Sequence, residues 1–325
     1  MKVPIILMVK ADAYGFGLKE VAKETEDIVD AFGVVTLEEA WQLQNVGISK
    51  DVLLCACASD ELEKACDLGV IIGVHDIEQV NELVSLANDG RINPESVRLH
   101  IKADSGMHRL GFDCEGIKNA VRTLKNHGFC IEGVYSHLRD GTLNQKNSFD
   151  KCVKAVKGEY PSAIAHLAST HSMNKEELRY DAVRLGIGAY TGAMSVYSRV
   201  IESRFLKKGE IVSYGDYVLP HDTNTAVIFG GYADGVCREN PSDVYIGGRA
   251  CKVIGNVCMD TFVVDTKDYR AKVGEEVVLV DEKCVHEVAK RRKTIEYTVY
   301  TSFKGRVQRY YKRNGQETSE IDGEI

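Results

Sequence analysis

Short apolar runs recur along the first two thirds of the chain, separated by amphipathic stretches. Eight can be counted, at residues 3–9, 31–35, 52–56, 70–74, 97–101, 131–135, 163–168 and 183–188. The opening run, Val-Pro-Ile-Ile-Leu-Met-Val, is apolar on both faces, which suits a strand buried in a parallel sheet. Between them, residues 37–46, 61–68, 76–87 and 114–126 place apolar side chains at helical spacing, and Thr36 with Glu39 predicts a capping box at the first. Strand and helix alternating in this way predict an α/β fold, a (β/α)8 TIM barrel. The rival, a doubly wound open sheet, would want a Gly-x-Gly-x-x-Gly turn after an early strand, and none is present.

From about Ser198 the pattern changes. Segments 199–205, 211–214, 225–229, 243–246, 251–254, 262–265, 276–280 and 294–300 read as strands, punctuated by the pairs Gly230-Gly231 and Gly247-Gly248. The expected organisation is a barrel over residues 1–196 followed by a β-rich C-terminal domain over 197–325.

Composition narrows the function. A chain of 325 residues with 44% hydrophobic and 27% charged positions is an ordinary globular protein. A net charge of -7 and a pI near 5.8 point away from nucleic acid. The basic stretch Lys290-Arg291-Arg292-Lys293 reads as a solvated surface turn. No apolar run is long enough for a membrane span, and residues 5–9 are too short for a signal-peptide core. Ten cysteines without a signal sequence imply reduced thiols and a cytoplasmic location. Cys55 and Cys57 lack metal-site spacing and read as strand residues on one face, so no metal site is expected.

In a barrel the functional face lies at the carboxyl ends of the strands. Lys10 ends the first apolar run, and loss of water around an ammonium there favours the neutral, nucleophilic amine that forms a Schiff base. Lys102 and Arg109 follow the fifth run, His137 the sixth, Ser169 and Thr170 the seventh. Arg184 lies in the eighth, before Gly186 and Ile187. Backbone N–H groups at Gly186 and Ile187, with the hydroxyls of Thr170 and Tyr14, would make a neutral phosphate cradle. A Schiff-base lysine beside such a cradle points to pyridoxal 5′-phosphate. Arg184 at the pyridine nitrogen would stay protonated and leave that nitrogen neutral, a weak electron sink suited to removing and returning one proton.

The motif MVKADAYGFG over residues 8–17 resembles the cofactor-lysine signature of the alanine racemases. The resemblance continues through KADSGMHRLG at 102–111, GVYSH at 133–137 and VRLGIG at 183–188. It extends to VSYG at 212–215, GYADG at 231–235, VCMD at 257–260 and RVQR at 306–309, in family order over nearly the whole chain. It implies that Lys10 is both the Schiff-base lysine and the base acting on the D-enantiomer. Tyr214 of a neighbouring subunit would be the base acting on the L-enantiomer. A phenol of pKa near ~10 needs help to act at neutral pH. The resemblance supplies a relay from Tyr214 to His137 and from His137 to Arg184.

The resemblance further implies that Arg109 bonds the cofactor O3′ near the substrate carboxylate, and that Lys102 matches a lysine carried carbamylated by many relatives. Tyr232, Met259 and Asp260 match the substrate entrance and pocket; Tyr14, Ser169, Thr170, Gly186 and Ile187 match the cofactor site. The implied protein is a cytoplasmic homodimer with shared sites, racemising alanine to provide D-alanine for cell-wall peptidoglycan. Three departures stand out. The sequence opens almost directly on the lysine strand, without the strand and long helix that relatives carry ahead of it. Gly305 stands where some relatives have tyrosine, which would widen the pocket toward serine. Phe16 replaces a common histidine. The alternatives are a serine or broader-specificity racemase, a non-catalytic cofactor-binding protein and an inactive truncated racemase. A barrel-type decarboxylase is disfavoured by Arg184 and Tyr214.

Overall fold

The computed structural model describes residues 3–139, 143–313 and 316–318. The chain forms two compact units: residues up to 13 with 17–189, and residues 14–16 with those from 190 onward.

The first unit is a closed parallel barrel. Its strands are β1 (Ile5–Met8), β2 (Ala31–Val34), β3 (Asp51–Leu54), β4 (Ile71–Val74), β5 (Arg98–Lys102), β6 (Cys130–Tyr135), β7 (Ile164–Ser169) and β8 (Ala182–Leu185). Each pairs with the next, and β8 returns to β1, so that Leu7 lies between Phe32 and Leu185. All eight expected strands are present. Phe32, Leu99 and Leu167 are wholly buried, as consecutive apolar positions in a covered parallel sheet require. Cys55 and Cys57 are a correction: β3 ends at Leu54, and both cysteines lie in the loop that leaves it.

The barrel helices are α1 (Leu18–Thr25), α2 (Leu37–Asn45), α3 (Leu62–Asp67), α4 (Ile77–Asn88), α5 (Cys114–Asn126) and α6 (Leu143–Glu159). The capping box of Thr36 and Glu39 is formed. Helices α1 and α6 were not anticipated. The buried positions of α6 are Gln145, Phe149, Cys152 and Val156, correctly spaced for a helix but half of them only weakly apolar.

The second unit is a closed antiparallel barrel of β9 (Val196–Leu206), β10 (Thr223–Phe229), β11 (Val244–Ile246), β12 (Arg249–Ile254), β13 (Thr261–Lys267) and β14 (Glu276–Val280). The order is β10-β13-β12-β11-β14-β9, with the long β9 pairing at both ends of the series. Its core is built on Val200, Ala226, Ile228, Phe262, Val264 and Val277. Helices α7 (Val285–Arg291) and α8 (Glu296–Ser302) and a hairpin of β15 (Tyr311–Arg313) and β16 (Gln316–Thr318) follow.

Three expectations fail here. Residues 211–214 form no strand, only isolated bridges from Ile211 to Val218 and from Tyr214 to Asn256. Residues 294–300, β-prone by composition, become α8, because burying Val299 and Tyr300 beside α7 outweighs local preference. The basic stretch 290–293 is the end of α7 rather than a free turn. Cations suit that end of a helix, and Arg292 donates to Ser302 Oγ at 3.3 Å and lies over the Phe303 ring.

Candidate active site

In the first unit, β1 delivers the buried Val9 and then Lys10. The next four residues, Ala11, Asp12, Ala13 and Tyr14, have φ between 48° and 59°, a left-handed turn without a single glycine. Such residues cost roughly 1–2 kcal/mol each, so the turn must be over-determined by its surroundings. Ala13 N–H donates to Val9 O at 2.7 Å and Gly17 N–H to Asp12 O at 3.0 Å. Ala11 N–H donates to Glu39 Oε1 at 2.7 Å, and Leu18 N–H to Asp12 Oδ1 at 2.8 Å. Lys10 itself is half-buried, and among the described residues its amine has no hydrogen-bond or ion-pair partner.

The other barrel residues surround a floor made by Tyr135. Its hydroxyl donates to Cys55 O at 2.8 Å, an approach open only because position 73 is glycine; a Cβ there would collide with the hydroxyl. Lys102 Nζ lies 4.7 Å from the Tyr135 ring centroid, and the Arg184 guanidinium lies 5.4 Å from it. Burial, reinforced by Arg184, pulls the Lys102 amine down to about 8. Lys102, Arg109 and His137 line one shallow pocket with Met107 and Ser136. Burial, and then the charges of Arg184 and Arg109, push His137 down to about 4, so its imidazole is neutral at pH 7.

Arg184 is buried, and both of its terminal nitrogens are engaged while its Nε–H has no partner among the described residues. Its Nη1 donates to His166 Nδ1 at 2.7 Å and His166 O at 2.8 Å; its Nη2 donates to the carbonyls of Ser136 and Leu167. No hydrogen bond joins Arg184 to His137, so the last contact of the expected relay is not formed. The histidine on Arg184 is His166, which the sequence reading missed, since a histidine inside the apolar run of β7 looks like core. Because Arg184 only donates, His166 Nδ1 accepts, and its Nε2–H points to His100 Nδ1 at 3.0 Å. Burial lowers His100 to about 3 and His166 well below the ordinary value of 6.5. Both stay neutral in the folded protein while the unfolded chain takes up protons below pH 6.5. Stability therefore falls as pH drops, approaching about 1.4 kcal/mol per pH unit for each histidine. Melting temperatures recorded from neutral to about pH 5 should show this slope, reduced by one proton's worth in His100→Gln.

At the next strand ends, Thr170 Oγ1 accepts the N–H groups of Gly186 at 3.1 Å and Gly188 at 3.4 Å. Two backbone donors thus converge on one spot, and a Cβ on Gly188 would run into Thr170. Gly186 and Ile187 are buried; Ser169 is half-buried and caps the loop by accepting Ser172 and Met173 N–H groups at 2.9 Å. Tyr14 belongs to the second unit, where its ring meets Tyr190 and Tyr297 at 5.4 and 5.8 Å. Phe16 joins the same aromatic group, stacked on Tyr190 at 5.1 Å, which accounts for an apolar ring at that position.

The second unit presents Tyr214, Tyr232, Met259 and Asp260 around a hollow of about 510 Å³, completed by Arg238, Cys258 and Thr261. Tyr214 is 66% exposed. Ser213 before it has a φ of 60° and donates its hydroxyl to Asn256 O at 2.8 Å. Asp260 pairs with Arg306 at 2.5 Å, and Arg306 also grips Asp234 at 2.6 Å. Arg238, missed from sequence because no motif contains it, lies over the Tyr232 ring and donates to Val257 O.

A parallel barrel carrying a half-buried lysine on a strained turn, three further cations, neutral imidazoles and convergent backbone donors defines an enzyme for anionic carbonyl or phosphate chemistry. Residues 1–193 match the family model for the alanine racemase N-terminal domain, and residues 193–311 that for the C-terminal domain. An alanine racemase of Thermodesulfovibrio yellowstonii is 34% identical over 339 aligned positions, covering 96% of this chain and 91% of that protein. One of Fusobacterium nucleatum is 33% identical over 306 positions, covering 85% of this chain and 84% of that protein. The solved alanine racemase of Clostridium difficile 630 superposes with a TM-score of 0.89 at 28% identity, covering 98% of this chain and 91% of that one. The chain belongs to the alanine racemase family.

Proposed function

We propose that the chain interconverts L- and D-alanine by a two-base mechanism, with Lys10 of one protomer and the partner subunit's Tyr214 on opposite faces of the substrate. The observation that carries this reading is the unpartnered Lys10 amine among Lys102, Arg109 and Arg184, in a family that racemises alanine. The residues fit pyridoxal 5′-phosphate: Thr170 Oγ1 accepts from Gly186 and Gly188, which leaves its O–H to donate to the phosphate, and a cationic pocket suits anions. Bound through its aldehyde to Lys10, that group would supply the electron sink that makes the substrate Cα–H acidic.

Within this reading Ser169, Thr170, Gly186, Ile187 and Tyr14 hold the phosphate. Arg109 would hold the substrate carboxylate, and the Arg184 Nε–H, the one donor its protein contacts leave over, would serve the ring nitrogen. His137, neutral at pH 7, would serve the partner subunit's Tyr214 as a hydrogen-bonding partner rather than a charge. Lys10 takes or returns the Cα proton on one face and Tyr214 on the other, the direct route to inverting a stereocentre. Tyr232, Met259 and Asp260 frame the substrate entrance. The protein would act as a homodimer in the cytoplasm, making D-alanine for peptidoglycan.

Racemisation of L-alanine and L-serine by purified protein with added cofactor, read by chiral chromatography, tests the assignment. D-alanine is expected as the main product. D-serine in excess would shift the substrate and implicate Gly305, whose φ of 69° and empty surroundings leave room beside it. No product at all would overturn the reading.

Lys102 offers a separate test. Carbamylation joins a neutral amine to carbon dioxide with release of one proton, and an amine at about 8 has far more neutral form at pH 7 than an ordinary lysine. Protein equilibrated with ¹³C-bicarbonate should show one carbamate carbon resonance that is absent from Lys102→Ala. An unchanged spectrum in that variant would exclude this lysine.

A further inference from the structure

A capping-box glutamate ordinarily uses its carboxylate on the N-cap N–H alone. Glu39 does this with one oxygen. Its Oε2 accepts the N–H groups of Val35 at 2.9 Å and Thr36 at 3.2 Å, while Thr36 Oγ1 accepts the Glu39 N–H at 3.2 Å. The other oxygen reaches across the barrel rim. Oε1 accepts the Ala11 N–H at 2.7 Å, 28 positions away and directly after Lys10. Ala11 opens the left-handed turn, whose geometry turns this N–H away from the usual strand and helix acceptors.

The matching place two strands further on shows why the residue is a glutamate. Helix α4 carries Gln79 at the same helical position, three after its N-cap Asp76. Gln79 Oε1 accepts His75 N–H at 2.8 Å, and its Nε2 donates to Cys57 O at 2.7 Å. The loop leaving β3 offers a carbonyl, so an amide serves. The turn leaving β1 offers an N–H, so the bridging group must accept at both ends, and only a carboxylate does.

We propose that Glu39 is a positioning residue for Lys10, its second carboxylate oxygen holding the turn that sets where the Lys10 amine is presented. The inference rests on Lys10 being the cofactor-bearing lysine and the base for D-alanine. Glu39→Gln can satisfy the capping box or Ala11, but not both, because its amide turns a donor toward a donor. Thr36→Ala removes the cap hydroxyl and leaves the Ala11 bond intact, so it reports helix capping alone.

Both variants are compared with wild type as the pyridoxal 5′-phosphate-loaded dimer. Melting temperature, visible circular dichroism of the lysine-bound cofactor and primary isotope effects with Cα-deuterated D- and L-alanine are measured. Both variants should lose similar, small amounts of thermal stability. Only Glu39→Gln should change the visible dichroism and raise the isotope effect on D-alanine above that on L-alanine, with kcat down about 10- to 100-fold and KM little changed. Dichroism and isotope effects equal to those of Thr36→Ala would overturn the assignment. If Glu39→Gln does not fold, Glu39→Asp, too short to bridge both sites, takes its place. Loss of the fold in both would make Glu39 a fold determinant and equally overturn it. A wild-type protein that binds the cofactor but does not racemise would overturn the proposed function instead, with the dichroism comparison still deciding whether Glu39 orients Lys10.

Discussion

Lys10→Ala and Tyr214→Phe should each abolish racemisation, yet an equimolar mixture of the two should regain about a quarter of the wild-type rate. Removing either base should cost roughly 10²–10⁴-fold or more. In the proposed two-fold dimer each site would take its lysine from one protomer and its tyrosine from the other. Random exchange makes half of the dimers hybrids, and in each hybrid one site carries both substitutions while the other carries neither. The exposure of Tyr214, at 66%, and its setting beside Tyr232 and Met259 are what a side chain donated to a neighbour requires. Lys10→Ala alone should also lose the visible band of the lysine-bound cofactor, whereas Tyr214→Phe should keep it. Rate measurements on the mixture, with subunit exchange checked by native mass spectrometry, decide the matter. No recovery despite exchange would mean that each protomer houses a complete site.

The second large effect is on stability. Arg184→Ala should destabilise the first unit by roughly 3–5 kcal/mol, since it removes the buried donor to the carbonyls of Ser136 and Leu167 and to His166 Nδ1, and leaves His166 O only its longer bond from Ser136 N–H at 3.4 Å. Arg184→Lys should recover only part of this. An ammonium keeps the charge but cannot reach four acceptors with a planar fork. Thermal and urea unfolding of the three proteins measure the loss directly. Equal stability of Arg184→Ala and wild type would mean that water replaces the guanidinium at every acceptor. Burial keeps the two histidines neutral, and the same fork orders them. Arg184 fixes the tautomer of His166, and His166 in turn fixes that of His100.

Local pattern carried much of the architecture. The eight barrel strands were legible because short apolar runs alternate with stretches of helical spacing, and both are properties of short segments. The Thr36–Glu39 cap was legible for the same reason. The second unit was less so, because alternating segments of similar length do not say which of them pair. Residues 211–214 and 294–300 looked alike in sequence, yet one became a pair of bridges around Tyr214 and the other became α8.

The sequence by itself determined the strand–helix alternation, the chemistry-bearing residues at the strand ends and the family motifs that contain them. What only the tertiary structure decided is how those residues meet. His166 was hidden in an apolar run until the pairing of β7 with β8 brought Arg184 to its ring nitrogen. The contact from Glu39 to Ala11 spans 28 positions, and the left-handed turn that needs it contains no glycine to announce it. Periodicity and capping are written within a few residues of one another. Hydrogen bonds made across a closed barrel depend on where distant segments arrive, and burial then sets the protonation of the groups they bring together.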